Sequence, residues 1–335
     1  MTNIKNSDIN EYFKNKHVLV TGGLGFLGSN LCRNLLHYSP KITTIDNQNA
    51  LSEGRSFNIC NIACKLNVVC GDVLDTAILT PLVLQSDLIY HLACPVRQVE
   101  NVNITSLHIS HSLSILKILE ICRLYHHRPL IIFASSWLVY GKSKGNKIKE
   151  TSATHPITSY GLYKLISEEY CKYYYETYGI PFIIFRISNL YGPRQQIKYN
   201  TNSMIGWYIK RAMENSTLPV FGDGCQLRNY IYISDLIEGM TRCIVTHKCV
   251  GEIINIGSES STPFREMVET IISVVGLGRI DYATWPSAWK KQEPGDLVLC
   301  INKLKKITGW CPLVGLKTGI QKTWKYYVKN IENYL

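Results

Sequence analysis

The stretch HVLVTGGLGFLG, residues 17–28, decides the fold of this chain. Residues 17–20 form a short apolar run that is typical of a buried parallel strand, and glycines follow almost directly. Residues 29–36 then carry apolar side chains at helical spacing. Strand, glycine turn and helix in this order indicate a dinucleotide site, because the turn lets the backbone approach a pyrophosphate at the helix N-terminus.

Asp46 favours a bound dinucleotide over the alternative, which is a glycine turn without a ligand. A second predicted strand, residues 41–45, ends at Asp46. The carboxylate then lies roughly 20 residues past the glycines, where it would bind a ribose. Such a carboxylate accepts hydrogen bonds from two ribose hydroxyls but repels a 2′-phosphate, so we expect NAD to be preferred over NADP.

Strand and helix signals alternate through the first half of the chain. They predict an α/β fold, a doubly wound parallel sheet of the Rossmann type with a smaller C-terminal substrate-binding domain. We expect the dinucleotide domain to span residues 1–191 and the mainly substrate-binding domain residues 192–335, with one strand near residues 251–256 returning to the sheet. The further strands are predicted at residues 67–70, 87–93, 130–136 and 181–186, and the helices at residues 77–84, 106–125 and 160–178.

Composition indicates a globular, cytoplasmic protein. The chain has 335 residues, 46% of them hydrophobic, without an apolar run long enough to span a membrane. Residues 1–16 lack the apolar core of a signal peptide. Twelve cysteines without a C-x-x-C pair predict reduced thiols, mostly in the core, and neither a disulfide framework nor a metal site.

The formal net charge of +11 is compatible with binding to nucleic acid or a membrane surface. The lysines and arginines are dispersed, however, and no nucleic-acid-binding motif accompanies them. We therefore expect no nucleic-acid or membrane partner, and attribute the charge to solvation or to attraction of an anionic substrate.

Tyr160 and Lys164 stand one helical turn apart and so lie on the same helix face. A phenol with a pKa of about 10 is a poor base at neutral pH, but a neighbouring ammonium favours the phenolate. Ser136, at the end of a predicted strand, can hydrogen-bond the same substrate hydroxyl. This set suits oxidation of a secondary alcohol with hydride transfer to a nicotinamide, although a tyrosine alone would be read as a packing residue.

With these motifs in this order, the chain resembles the extended short-chain dehydrogenase/reductase family, specifically its nucleotide-sugar-modifying members. The resemblance covers nearly the whole length. It rests on the glycine loop at residues 22–28, residues 46–47, 71–73, 91–95, 135–141, the pair 160 and 164, and residues 186–195, 222–236, 255–258 and 294–296.

The resemblance implies NAD as the cofactor and a nucleoside-diphosphate sugar as the substrate. Ser136, Tyr160 and Lys164 would be the catalytic residues. The implied cofactor contacts are Gly22, Gly25 and Gly28 on the pyrophosphate, with Phe26 and Leu27 in the same loop; Asp46 on the adenosine ribose, followed by Asn47; Asp72 and Val73 beside the adenine; and Leu92, Ala93 and Cys94 along the nicotinamide half, together with Tyr160 and Lys164. The implied substrate contacts are Asn189 and Arg228 on the diphosphate, Val220 and Phe221 near the base, and Trp137.

One implied contact has an alternative role, and one position departs from the family pattern. For Arg228 the alternative to a diphosphate contact is a surface ion pair. Glu293 replaces an arginine that relatives often carry before the Pro294–Gly295–Asp296 turn, and this weakens the case for a phosphate contact there.

Trp137 and Leu138 favour one reaction within the family. In the 4,6-dehydratases these positions resemble Asp-Glu, and in UDP-glucuronate decarboxylases the second is again Glu. Neither side chain here can transfer a proton, so we expect an epimerase that oxidises C4 of a nucleoside-diphosphate hexose or hexuronate transiently. The alternatives are a decarboxylase, whose pattern residues 91–95 resemble, a dehydratase, a net 4-dehydrogenase or reductase, and a non-catalytic nucleotide-sugar or NAD-binding protein.

The two long predicted helices, residues 106–125 and 160–178, carry apolar or aromatic residues on more than one face. A single sheet contact cannot bury them all. Relatives pair these helices in a four-helix bundle, so we expect a homodimer.

Overall fold

The computed structural model describes residues 4–38, 40–48, 54–94, 109–144, 146–200 and 204–335. Its strands are β1 (His17–Thr21), β2 (Lys41–Asp46), β3 (Asn67–Cys70), β4 (Leu88–His91), β5 (Leu130–Ser136), β6 (Ser143–Lys144), β7 (Phe182–Ile187), β8 (Asn189–Tyr191), β9 (Thr217–Phe221), β10 (Leu227–Arg228), β11 (Tyr230–Tyr232), β12 (Glu252–Ile256), β13 (Thr262–Pro263), β14 (Arg279–Ala283) and β15 (Gly295–Asp296). Its α-helices are α1 (Asn6–Phe13), α2 (Phe26–Leu35), α3 (Thr76–Leu84), α4 (Ser114–Leu124), α5 (Ser159–Tyr178), α6 (Met204–Met213), α7 (Ile233–Ile244), α8 (Phe264–Val275), α9 (Ser287–Gln292), α10 (Asn302–Thr308) and α11 (Leu316–Asn330).

A seven-stranded parallel sheet forms the centre, with strand order β12-β7-β5-β4-β1-β2-β3. The chain builds outward from β1 through β2 to β3 and then returns to β4 on the other side of β1. This reversal creates a crevice at the carboxyl ends of β1 and β4, where ligands bind in folds of this kind. The predicted doubly wound α/β fold is confirmed.

Side chains alternate between two apolar layers, one on each face of the sheet. Val18 and Val20 of β1 point into one layer, whereas Leu19 points into the other. A third, smaller cluster lies beyond the end of β5 and contains Trp137, Val139, Tyr140, Ile148, Leu297 and Leu299.

The predicted strands and helices are present, with shifts at their ends. The strand predicted at residues 87–93 stops at His91, because the amides of Leu92 and Ala93 donate to Thr21 Oγ1. The strand near residues 251–256 does return, as β12, and pairs in parallel with β7.

The helix predicted at residues 106–125 is seen from residue 109 onward, as a π-helical turn, Ile109–Leu113, followed by α4. Residues 106–108 lie outside the described residues. Helix α1 was not predicted; it buries Ile9 and Phe13, which are four residues apart on one face.

Residues after β8 form small strand pairs joined by helices. β8 pairs with β11 and β9 with β14 in parallel, whereas β10 pairs with β13 in an antiparallel arrangement. Strand β15 pairs in parallel with β6 and so connects this part to the segment that follows β5. The division into domains at residues 191 and 192 stays a prediction.

The cysteine prediction needs a correction. Cys122 is buried as expected, but Cys60, Cys64 and Cys70 are exposed, because the segments that carry them lie at the outer edge of the sheet near β3. In the part of the chain that the structure describes, no helix combines the length and the apolar character needed to cross a membrane.

Candidate active site

The glycine loop connects β1 directly to helix α2. Gly22 has a φ of +72° and its amide donates to Ile45 O over 2.8 Å, so the chain turns at the tip of β1. A Cβ at Gly28 would lie 2.2 Å from Gly22 O, which shows how closely the helix packs on the turn. Helix α2 begins at Phe26, and the backbone amides of its first turn are available to an anion. The loop therefore fits a pyrophosphate.

Asp46 lies at the carboxyl end of β2, next to this loop. Its two carboxylate oxygens accept from Leu24 N over 3.1 Å and from Gln48 N over 2.9 Å, which orients the side chain. Burial raises the pKa of Asp46, and the two backbone hydrogen bonds oppose that shift. Asn47 Nδ2 donates to Asp72 Oδ2 over 3.0 Å, so the predicted ribose and adenine contacts are connected.

The predicted nicotinamide contacts follow β4. Thr21 Oγ1 accepts from the amides of Leu92 and Ala93, each over 3.1 Å, and hydrogen-bonds His91 Nδ1 over 3.0 Å. His91 Nε2 hydrogen-bonds Ser114 Oγ on the other side. Burial, with Lys164 and His111 nearby, lowers the pKa of His91 to about 3, so the ring is neutral and serves to hold the β4 end in place.

The three predicted catalytic residues lie on β5 and on the first turns of α5. Lys164 is buried; its Nζ donates to Ala134 O over 2.8 Å and lies 5.6 Å from the centroid of the Tyr160 ring. Ser136 ends β5, and its Oγ accepts from Leu138 N. The structure thus places Lys164 between the end of β5 and Tyr160.

Gly161 explains why α5 begins so close to β5. A Cβ at Gly161 would lie 2.5 Å from Leu138 O, so glycine permits a direct approach of the two backbones. The helix is capped by Thr158, whose Oγ1 accepts from Gly161 N. This packing positions Tyr160 in the first turn of α5.

A thiol–imidazole contact next to these residues was not predicted. Cys94 Sγ lies 2.7 Å from His111 Nδ1, and the His111 ring packs edge-on against Tyr160 and stacks on Tyr163. Burial raises the pKa of Cys94, so the thiol is the favoured form. Cys94 was predicted on the nicotinamide half, but no sequence motif singles out His111 in its π-helical turn.

A buried ion pair behind the site was also missed. Arg186 Nη2 lies 2.6 Å from Glu168 Oε2, and Ser135 Oγ donates to the other carboxylate oxygen. These residues join β7, α5 and β5. The one available signal was the position of Glu168, one turn after Lys164 on the same face of α5.

The predicted substrate contacts are spread over several elements. Trp137 is buried in the third apolar cluster, and Val220 is fully buried in the core on β9. Phe221 packs against Trp285 and Trp289, two aromatic residues that the sequence did not point to.

Asn189 and Arg228 are brought close together. Asn189 Nδ2 donates to the carbonyl of Asn229, the residue after Arg228. Arg228 forms an ion pair with Glu293, with 2.5 Å between Nη2 and Oε1. The ion pair weighed as the alternative for Arg228 is therefore present, but it is buried instead of lying on the surface.

Comparisons with known proteins identify the family of this chain. The profile of the NAD dependent epimerase/dehydratase family matches residues 18–257. An uncharacterized UDP-glucose epimerase of Bacillus subtilis is 30% identical over 328 residues, covering 92% of this chain and 97% of that protein.

Two solved structures are similar along nearly the whole chain. An epimerase from Methanothermobacter thermautotrophicus has a TM-score of 0.88 at 26% identity, covering 97% of this chain and 96% of that one. The UDP-glucuronic acid 4-epimerase of Bacillus cereus, in complex with UDP-glucuronic acid and NAD, has a TM-score of 0.82 at 27% identity, covering 93% and 99%.

The chain belongs to the NAD-dependent epimerase/dehydratase family, within the nucleotide-sugar group of extended short-chain dehydrogenases/reductases. Its cofactor is NAD, which the glycine loop and Asp46 suit. The relatives include epimerases, decarboxylases and dehydratases of nucleotide sugars, so the family alone does not select the reaction. Across the described ranges, His, Cys, Asp and Glu side chains form no group of three or more suited to a metal ion.

Proposed function

We propose that this chain is an NAD-dependent 4-epimerase of a nucleoside-diphosphate hexose or hexuronate. The observation that carries the proposal is a complete Ser136, Tyr160 and Lys164 set beside a segment, Trp137–Val139, that has only apolar side chains. This combination supports oxidation and reduction at one carbon without elimination.

Tyr160 is the base in this scheme. Its phenolate oxygen takes the proton of the C4 hydroxyl, and Lys164, fixed by Ala134 O, stabilises the phenolate charge. The Ser136 hydroxyl holds the C4 oxygen in line. The glycine loop and Asp46 would hold NAD, which would supply the acceptor and donor of the C4 hydride.

Inversion at C4 requires the 4-keto sugar to turn its opposite face towards the hydride donor before it is reduced. Tyr160 then returns the same proton to the C4 oxygen, so protons and hydride balance over the cycle. The substrate and product have the same mass.

Trp137 and Leu138 argue against loss of water or carbon dioxide. An indole and an isobutyl group cannot remove a C5 proton or protonate a leaving hydroxyl. Glu150 is the carboxylate nearest in sequence, but its Oε1 accepts from Asn255 N over 3.0 Å and its carbonyl accepts from Arg186. These contacts hold Glu150 against β12 and away from a role as a replacement base.

The test is to incubate the full chain with NAD and a panel of UDP-glucose, UDP-galactose, UDP-glucuronate, UDP-galacturonate and dTDP-glucose. We expect one pair of sugars to interconvert, with the product identified by NMR and unchanged in mass. The Tyr160→Phe variant is the control for background conversion. A product lighter by one water or one carbon dioxide would contradict the proposal and favour a dehydratase or a decarboxylase.

A further inference from the structure

Hydrogen bonds within the protein already hold the Arg228 guanidinium. Its Nη1 donates to Leu227 O and to Gly295 O, each over 2.9 Å, while Nη2 faces Glu293. The side chain is 6% exposed. Two backbone carbonyls therefore fix the guanidinium in place, and Glu293 covers one of its donors.

Glu293 is the partner that can move. The Glu293 side chain is 21% exposed and reaches water, whereas the Arg228 side chain is 6% exposed and is held by two backbone carbonyls. Glu293 Oε1 also accepts from Gly295 N over 3.1 Å. This hydrogen bond orients the Glu293 carboxylate towards Arg228.

The surrounding segment places this ion pair beside the candidate substrate site. Leu227 N donates to Asp296 Oδ1, and Leu297 N donates to Leu227 O, so β10 and the 293–297 turn form one unit. Leu297 packs in the same cluster as Trp137, which follows Ser136.

The charges predict that Glu293 and a substrate diphosphate compete for Arg228. A diphosphate that contacts Arg228 would bring negative oxygens to the position that the Glu293 carboxylate occupies, and like charges at such a distance repel. The guanidinium can form its charge-assisted hydrogen bonds with the Glu293 carboxylate or with the diphosphate, but not with both at once.

We propose that Glu293 is an internal anionic competitor for the substrate diphosphate, and that its displacement from Arg228 sets the affinity for nucleoside diphosphates. The proposal rests on the proposed function, because it takes a nucleotide sugar as the ligand. It makes Glu293 a specificity-determining residue that weakens diphosphate binding without contacting the reacting carbon.

The test compares Glu293→Gln with the wild-type full chain, both saturated with NAD, by calorimetric titration with UDP, dTDP, UMP and uridine. Glutamine keeps the length of the side chain and its hydrogen bonds but removes the charge. We expect the variant to bind UDP or dTDP about tenfold more tightly, which corresponds to about 1.4 kcal/mol, UMP with a smaller gain, and uridine without change. Glu259→Gln is the control, since Glu259 pairs with Lys305 on the surface.

The outcomes separate the two proposals. Unchanged or weaker UDP and dTDP binding by a folded Glu293→Gln variant overturns the competitor role and leaves the epimerase proposal standing. If neither protein binds UDP or dTDP at millimolar concentration, the competitor role fails, and the product assay with nucleotide sugars judges the epimerase proposal separately. If the variant does not fold, hydrogen exchange of the wild type tests the role instead. Displacement of Glu293 would free the Gly295 amide, so UDP should speed exchange in residues 293–297. Slower exchange with UDP would overturn the competitor role.

Discussion

The Tyr160 oxygen is the atom on which the proposed chemistry depends. Lys164 lies 5.6 Å from the ring centroid and is itself held by Ala134 O, so the pair is set before substrate binds. Tyr160→Phe keeps the ring packing and removes only the proton-transfer group. We expect turnover to fall by several orders of magnitude while NAD binding and the fold are retained.

The measurement is a coupled epimerase assay together with circular dichroism and an NAD titration. If the variant keeps more than about a tenth of the activity, the barrier has changed by less than about 1.4 kcal/mol. Tyr160 would then not be the base.

Asp46 predicts the choice of dinucleotide. Its carboxylate is oriented by Leu24 N and Gln48 N, at the end of β2 where a ribose would bind. A 2′-phosphate would face this carboxylate, so NAD should bind at least about tenfold more tightly than NADP in calorimetry, a difference of about 1.4 kcal/mol. Equal affinities would show that Asp46 does not contact the ribose.

The Arg186–Glu168 ion pair, together with Ser135, connects β7 to β5 and α5, which carry Ser136 and Lys164. Both side chains are buried, so removing one leaves the other charge without its partner. Glu168→Ala should lower the free energy of unfolding by about 3–5 kcal/mol, measured by urea denaturation. The neighbouring Glu169→Ala, which removes an exposed pair with Lys172, should cost less than about 1 kcal/mol. Similar losses in the two variants would contradict a structural role for the buried pair.

His91 makes the stability of the fold depend on pH. Its pKa falls from 6.5 to about 3 in the fold because burial disfavours the imidazolium. Below about pH 6.5 the unfolded chain takes up a proton that the folded chain does not, so stability is present above that pH and is lost as the pH falls towards 3. The loss is up to about 1.4 kcal/mol per pH unit.

The check is urea denaturation of the wild type and of His91→Gln at about pH 7 and about pH 5, so that the contribution of His91 is separated from that of every other group. The wild type should lose more stability than the variant between the two conditions. Equal losses would mean that His91 is not the group responsible.

Sequence periodicity predicted the elements well where burial alone decides them. The apolar runs of β1 and β5 became strands because every residue in them is wholly or partly buried. The end of β4 was placed two residues too far, since the acceptor for the amides of Leu92 and Ala93 is a side chain on another strand. No local pattern carries that information.

For the whole molecule, motifs predict residues of the candidate site but not the side chains that contact them. Tyr160 and Lys164 could be paired because they are four residues apart. Cys94 with His111, and Arg228 with Glu293, join distant segments, so only the folded chain shows these contacts. The reaction is harder to predict than the fold because it depends on such contacts between distant segments.

Dimerisation is the prediction that concerns the molecule as a whole. Leu162 and Tyr173 on α5 are exposed although large and apolar, and three helical turns separate them, so they share one face with the half-buried Ile166. Leu124 and Tyr125 at the end of α4 are exposed as well. Such an apolar face on a helix pair suits a two-fold contact with a second copy.

Light scattering coupled to size exclusion should report a dimer for the wild type at micromolar concentration. The double variant Leu162→Glu with Tyr173→Glu should be a folded monomer, because two carboxylates per chain would be buried in the contact. Leu313→Glu is the control: Leu313 is 89% exposed and lies outside α4 and α5, so this variant should stay dimeric. A monomeric wild type, or a dimer that survives the double variant, would show that α5 does not form the interface.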